Sequence, residues 1–375
     1  MHVHSENSSL LSVKMSTFFS SEEKDILSWA EISKFIKTEQ SFIDRSESTK
    51  LPIKFRIHET SKLPDFSAPF NKSYYEICLE RVSEILSVQE RIDKQIALFY
   101  SGGIDSTMAL LAFYDYMGEE KFRSNVTVFL TPDSVNENPS VYYKYLRNRI
   151  KLESATSFRS LFDGSYIIVG AEFNDQLHGS LLLSDILLRY DEDILIKQLT
   201  HDFLRTELSQ SGMSVHSAKV WFQYFELILE RHKNFNIQTV FDFYWFINFI
   251  YKWQSVYFRM PLRALRSQQS NINDEYLAQF YHHFFITPDF QRWSVNNPQF
   301  RIKDKWKTYK WHVKDLIYNF TKDSNYRDNK IKVGSLINLF QQSYNPIAID
   351  GNYNFHFNVN PMDYYQANND LILKV

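Results

Sequence analysis

The chain has 375 residues, 44% of them hydrophobic and 17% aromatic, and 42 Lys and Arg against 44 Asp and Glu leave a formal net charge of −2. That balance exerts no global pull on nucleic acid or acidic membrane, and a single cysteine, Cys78, excludes a disulfide scaffold. The nine glycines, about 2.4% against roughly 7% on average, exclude collagen-like and Gly/Ser-linker classes and make each glycine worth locating.

A chain of this length buries a sizeable core, and two or three domains are expected. Residues 1–6 lack a basic stretch followed by an apolar one, so no secretory signal is expected. With one cysteine, the expected setting is reducing and cytoplasmic. Residues 1–70 are polar and mixed, and their pattern allows a helix over 22–37 and a strand over 52–57. Over 72–93 the spacing turns helical and places Tyr75, Cys78, Val82, Ile85 and Leu86 on one face. The apolar run 96–100 suits a buried parallel strand. Ser101-Gly102-Gly103 breaks it, and helical spacing resumes over 107–116. A second buried strand covers 126–130 and ends at Thr131-Pro132. Residues 141–151 read as a helix, and 166–169 as a third strand ended by Gly170. Strands alternating with helices predict an α/β domain with a parallel sheet. Beyond about residue 180 the pattern is mostly helical and rich in Phe, Tyr and Trp. Its most apolar stretch, 240–258, contains Asp242, Asn248, Lys252 and Gln254, which predicts a buried helix rather than a membrane span.

Three short segments carry the chemistry. The first is Ser101-Gly102-Gly103-Ile104-Asp105-Ser106, between a buried strand and a helix. Parallel sheets bind ligands beyond the carboxyl ends of their strands. There two glycines expose backbone N–H groups, the helix N-terminus adds donors and a positive dipole end, and Ser101 and Ser106 add hydroxyls. The combination suits phosphate or pyrophosphate. Asp105, a carboxylate inside an anion cradle, makes sense as a ligand for Mg²⁺ arriving with a nucleotide. The plainer alternative is an Asp/Ser helix cap after a glycine turn.

This string resembles the pyrophosphate loop of the N-type ATP pyrophosphatases (the PP-loop, adenine nucleotide α-hydrolase-like superfamily). Asparagine synthetase, β-lactam synthetase, GMP synthetase, NAD synthetase and several tRNA-modifying enzymes belong to it. The resemblance implies that ATP is split to AMP and pyrophosphate while a substrate is adenylated. It also implies that Ser101, Gly102, Gly103, Asp105 and Ser106 hold the ATP, with Val128 and Leu130 at the end of the second strand facing the adenosine.

The second segment, Gly170-Ala171-Glu172-Phe173-Asn174-Asp175-Gln176-Leu177-His178-Gly179, also follows a buried strand. If it begins a helix, Glu172 and Asp175 share a face, and two anions together ask for a cation. An acidic first turn favoured by the helix dipole is the alternative. The segment resembles the asparagine synthetase pattern Gly-Glu-Gly-x-Asp-Glu-x-Phe-Gly-Gly, with Phe173, Gln176 and Ser180 as departures. The resemblance implies that Asp105 and Asp175 hold Mg²⁺ and that Glu172 stands near the incoming amine. A glutamate acts as a base near pH 7 only if burial or neighbours raise its pKa.

The third segment, Arg327-Asp328-Asn329-Lys330-Ile331-Lys332-Val333-Gly334, resembles the late Arg-x-Lys-x-Gly-like element of asparagine synthetase-like enzymes. Its Lys332, with Lys330 as second choice, is implied to stabilise the departing pyrophosphate. Residues 301–314 mix six basic residues with Trp306, Tyr309 and Trp311. They read as an amphipathic helix with a basic solvent face, or less well as a nucleic-acid surface.

Together these readings predict an N-terminal extension over 1–70, a PP-loop ATP pyrophosphatase domain over 71–190 and a helical asparagine synthetase-like region over 191–375. The resemblance implies an AMP-forming carbon–nitrogen ligase that joins a small-molecule carboxylic acid to ammonia or another amine. About 90 residues precede the loop, too few for a glutaminase domain. The nitrogen is thus expected from ammonia, from an amine within the substrate, or from a partner such as a separate glutaminase. Neither nucleic acid nor membrane is an expected partner. The alternatives are adenylation of a nucleobase or tRNA on the same fold, and a non-catalytic nucleotide-binding protein.

Overall fold

The structure, a computed structural model, describes residues 2–5, 8–12, 23–36, 43–48, 57–155, 161–180, 182–265, 272–331, 348–349 and 355–356. They fall into two compact units interleaved along the chain. One comprises Pro69–Asn174 and Pro261–Val375, the other Met1–Ala68 and Asp175–Met260.

The first unit is built on a five-stranded sheet. Its strands are β1 (Gln95–Phe99), β2 (Val126–Leu130), β3 (Lys151–Ser154), β4 (Tyr166–Gly170) and β5 (Tyr281–His283). They lie in the order β3-β2-β1-β4-β5, and every pairing is parallel. Leu98 of β1 stands opposite Val128 on one side and Val169 on the other. Ile96, Ala97, Leu98, Val128, Ile167, Ile168 and Val169 are all fully buried. Such unbroken apolar runs are what strands covered on both faces require.

Helix α1 (Tyr74–Ile92) opens with a reciprocal capping box between Ser73 and Glu76 and closes at Asp93 in the left-handed region. It buries Tyr74, Ile77, Cys78, Val82 and Ile85, a face slightly rotated from the expected one, since Tyr75 and Leu86 are half-buried. Burial pushes the Cys78 thiol well above its usual range, so it packs as a small apolar group. Helix α2 (Ile104–Asn125) follows β1 and is broken at Gly118, whose φ is 71°. Helices α3 (Pro132–Glu137), α4 (Trp311–Thr321) and α5 (Ser324–Asn329) complete the surroundings of the sheet's loop ends. Helix α2 packs against both α1 and α4.

Two parts of this unit depart from expectation. Residues 141–151 do not form one helix: a π-helical turn, Tyr142–Leu146, gives way at Asn148 (φ 58°) to strand β3. β3 is an edge strand with only Leu152 buried, so it lacks the apolar run that marks the central strands. β5 was not expected at all. Its three residues join a helix, Asp274–Phe280, directly to a 3₁₀ turn, Phe284–Ile286.

The second unit is mostly helical, with one short antiparallel strand pair, His2–Ser5 and Ser8–Ser12, near the start of the chain. The helix expected over 22–37 is present as Glu23–Ile36, while residues 52–56 of the expected strand lie outside the described residues. Helix Val240–Tyr251 buries every residue except Asp242, which closes a capping box with Thr239. No helix among the described residues is long and apolar enough to cross a membrane. The Arg45 guanidinium lies between the rings of Phe249 and Trp253, at 4.4 and 4.1 Å from their centres. It donates to the carbonyls of Phe249 (2.9 Å) and Ser61 (3.2 Å). Glu207, only 2% exposed, accepts two bonds from Arg189 (2.6 and 2.8 Å) and one each from the hydroxyls of Tyr190 (2.9 Å) and Tyr244 (3.1 Å).

Candidate active site

The chain leaves β1 at Phe99, and the Tyr100 N–H is still held by the Phe129 carbonyl at 2.8 Å. Gly102 then turns with a φ of 74°, in the left-handed region. A Cβ there would lie 2.3 Å from the Ser134 carbonyl oxygen and 2.6 Å from Glu137 Cβ. Both the dihedral and the close approach of α3 therefore require glycine. The Gly102 carbonyl accepts from Thr107 Oγ1 (3.3 Å) and from the Tyr326 hydroxyl of α5 (3.2 Å).

The loop is partly self-satisfied. The Ser101 N–H donates to Ser106 Oγ (3.0 Å), the two hydroxyls lie 2.8 Å apart, and the Gly103 N–H donates to Ser101 Oγ (3.3 Å). Some of the donors expected to point outward are thus used within the loop. Gly103 occupies the N-cap of α2, and no side chain caps that helix.

Asp105 stands in the first turn of α2. Its Oδ1 accepts from Asn174 Nδ2 (2.8 Å) and from Lys310 Nζ (2.5 Å). Asn174 is held in turn by the Tyr74 hydroxyl at 2.8 Å. The Asp105 side chain is 19% exposed and that of Lys310 1%. Among the described residues Oδ2 of Asp105 makes no hydrogen bond. A partly exposed, hard carboxylate with one oxygen outside these bonds fits Mg²⁺, which is usually held by one or two carboxylates plus phosphate oxygens. No group of three or more His, Cys, Asp or Glu among the described residues forms a metal cage of its own.

A second buried ion pair lies behind the loop. Glu137 of α3, whose Cβ backs Gly102, pairs with Lys330 just after α5. Asp133, on the same short helix, is held above its usual carboxyl range by burial and then by Glu137. Lys314 of α4, also buried, donates to the carbonyls of Lys307 (2.5 Å) and Lys330 (3.2 Å). Burial, and then the neighbouring Lys330, bring its pKa down to about 8.

Val128 and Leu130 are fully buried, so their side chains belong to the core and only their backbone is available to a ligand. Glu172 lies in a turn after β4, ahead of the five-residue helix Asn174–His178 that carries Asp175. The two acids therefore do not share a helix. Asp175 begins the second stretch of the helical unit, Asp175–Met260. There Asn248 donates to the carbonyls of Asp175 (3.2 Å) and Gly179 (2.6 Å), and Trp245 to that of Leu177 (3.1 Å). Gln176, standing where the asparagine synthetase pattern has an acid, donates to Asn248 Oδ1 at 3.3 Å. Lys332 and Gly334 lie outside the described residues.

The 301–314 stretch is not a helix with a basic solvent face. Arg301, Lys310 and Lys314 are buried, Trp306 and Tyr309 stack at 4.7 Å, and α4 begins only at Trp311. Sequence reading thus missed Lys310, Glu137, Asn174 and Tyr326. The pairs they form join residues as far as 224 positions apart. No local signal singles them out: the same aromatic-rich run carries Lys303, Lys305 and Lys307, which are exposed. No family model matches the chain, and no curated protein matches it.

Proposed function

We propose that the protein is an ATP-dependent, AMP-forming ligase that adenylates a carboxylic acid and passes it to ammonia or another amine. The observation that carries this reading is the position of the first two motifs. They follow β1 and β4, the adjacent strands at which the order β3-β2-β1-β4-β5 changes direction. In open α/β sheets ligands bind in the crevice at that point. Lys310, buried beside the first motif and paired with Asp105, is a cation within the same cluster that a polyphosphate would draw on.

In this reading the loop Ser101–Ser106 takes the β- and γ-phosphates, exchanging its internal hydrogen bonds for bonds to phosphate oxygens. Asp105 holds Mg²⁺, which when bound neutralises phosphate charge and favours departure of pyrophosphate. The substrate carboxylate attacks the α-phosphorus, and the bond to the α,β-bridging oxygen breaks. Lys330, held by Glu137, or its neighbour Lys332 stabilises the charge that develops on pyrophosphate. The amine then attacks the acyl carbon, AMP leaves, and Glu172 orients the amine or accepts its proton.

The test is a screen for pyrophosphate release with ATP, Mg²⁺, a panel of carboxylic acids and ammonia. Asp105→Asn and Glu172→Gln serve as controls. AMP and pyrophosphate are the expected products. ADP and phosphate would rule the reading out.

A further inference from the structure

Lys310 is an unusual lysine. Its side chain is 1% exposed, its backbone is left-handed at φ 55°, and it sits at the N-cap of α4 without capping the helix through its side chain. Its N–H is fixed by the Arg301 carbonyl at 2.8 Å, and its ammonium lies 5.3 Å from the centre of the Tyr309 ring. A strained non-glycine backbone persists where surrounding contacts impose it, and such residues concentrate at functional sites. Here the contacts deliver a cation to Asp105 Oδ1, 205 positions away in the chain. Asn174 reaches the same oxygen, so among the described residues Oδ2 of this 19%-exposed side chain takes no bond.

We infer that Lys310 is an exchangeable counter-ion: it holds Asp105 in the protein without ligand, excludes metal alone, and moves to the phosphates when metal and polyphosphate arrive together. The inference rests on the reading of the loop as a polyphosphate site. The physical reason is charge balance. A single carboxylate already paired with an ammonium has little net attraction for a bare divalent ion, which that ammonium also repels. A metal–polyphosphate brings its own negative charge, so it can occupy Asp105 while giving Lys310 a new anionic partner. Binding is thereby made ordered, with metal and nucleotide entering together. A static structural ion pair would not produce this order.

The test uses the full chain and two probes, Mn²⁺ alone and Mn²⁺ with α,β-methylene-ATP, read by calorimetry and by Mn²⁺ electron paramagnetic resonance. Wild type should bind Mn²⁺ alone weakly and the mixture at least about tenfold more tightly. Lys310→Met should bind Mn²⁺ alone about tenfold or more tightly than wild type does, while its affinity for the nucleotide analogue falls. The gain should vanish in Lys310→Met/Asp105→Asn, and Lys310→Arg, which keeps the cation, should resemble wild type. If circular dichroism shows Lys310→Met unfolded, Lys310→Gln replaces it and should show the same gain. An unchanged Mn²⁺ affinity without Lys310, a gain that survives Asp105→Asn, or Lys310→Arg behaving like Lys310→Met would each overturn the inference. Failure of the underlying reading looks different: wild type would then bind no α,β-methylene-ATP with or without Mn²⁺.

Discussion

In the helical unit Glu207 has two acceptor bonds on each of its oxygens, from Arg189, Tyr190 and Tyr244. In the sheet unit Asp105 receives both of its bonds from described residues on one oxygen, and its side chain is 19% exposed. A carboxylate has about four lone-pair sites. Glu207 fills its set with protein donors and so serves the fold. Among the described residues Asp105 fills about half, which leaves capacity for a further ligand. Saturation of the acceptor, more than burial or the presence of a cation, separates the two acids.

The sharpest way to break this contrast is at the backbone that presents Asp105. Gly102→Ala forces a Cβ against the Ser134 carbonyl at a positive φ. It should cost about 3–4 kcal/mol in urea unfolding and abolish nucleotide binding; a wild-type denaturation midpoint would refute the close approach. Asp105→Asn should lower pyrophosphate release by about 100-fold, beyond any loss of folded protein. Glu207→Gln should do the reverse, losing about 2 kcal/mol of stability with pyrophosphate release per folded molecule unchanged. If the two acids exchanged these phenotypes, the saturation argument would fail.

A subtler effect comes from Lys314. Its pKa is depressed from an ordinary 10.5 to about 8, so between those values the unfolded chain binds more protons than the folded one. Wild type should therefore gain stability as pH rises from about 8 toward 10.5, whereas Lys314→Met should lack that component. The difference between their stability curves should be about 1 kcal/mol or more across the window. A smaller effect than at Gly102 is expected at Gly118, where φ is also positive but nothing lies within 4 Å of an added Cβ. With ψ at 162° this is backbone open almost only to glycine, so Gly118→Ala should cost about 1–3 kcal/mol, and thermal melting beside Gly102→Ala separates strain alone from strain with a clash.

Much of the sheet was legible because its central strands are apolar without interruption. Val126–Leu130 was expected with its observed bounds, and β1 and β4 within a residue. β3 was not legible, since Lys151, Glu153 and Ser154 surround its one buried residue and the preceding aromatics mimic a helix. The glycine loop and the acidic segment were readable as local strings. Their neighbours were not: nothing near Lys310 names Asp105, and nothing near Lys330 names Glu137. Local charge pattern suggested solvated lysines, but the aromatic packing around them provided a buried setting with acids already in place.

The sheet also has a history during synthesis. β5 is made about 110 residues after β4, the strand whose edge it covers. At ~5–20 residues per second, that edge waits roughly 6–20 s on the ribosome before its partner emerges. Meanwhile Ile168 and Val169 present unpaired backbone in an apolar strand, a template for wrong pairing. Slow translation or a cold-sensitive chaperone background should therefore reduce the yield of this protein before it alters anything the finished molecule does.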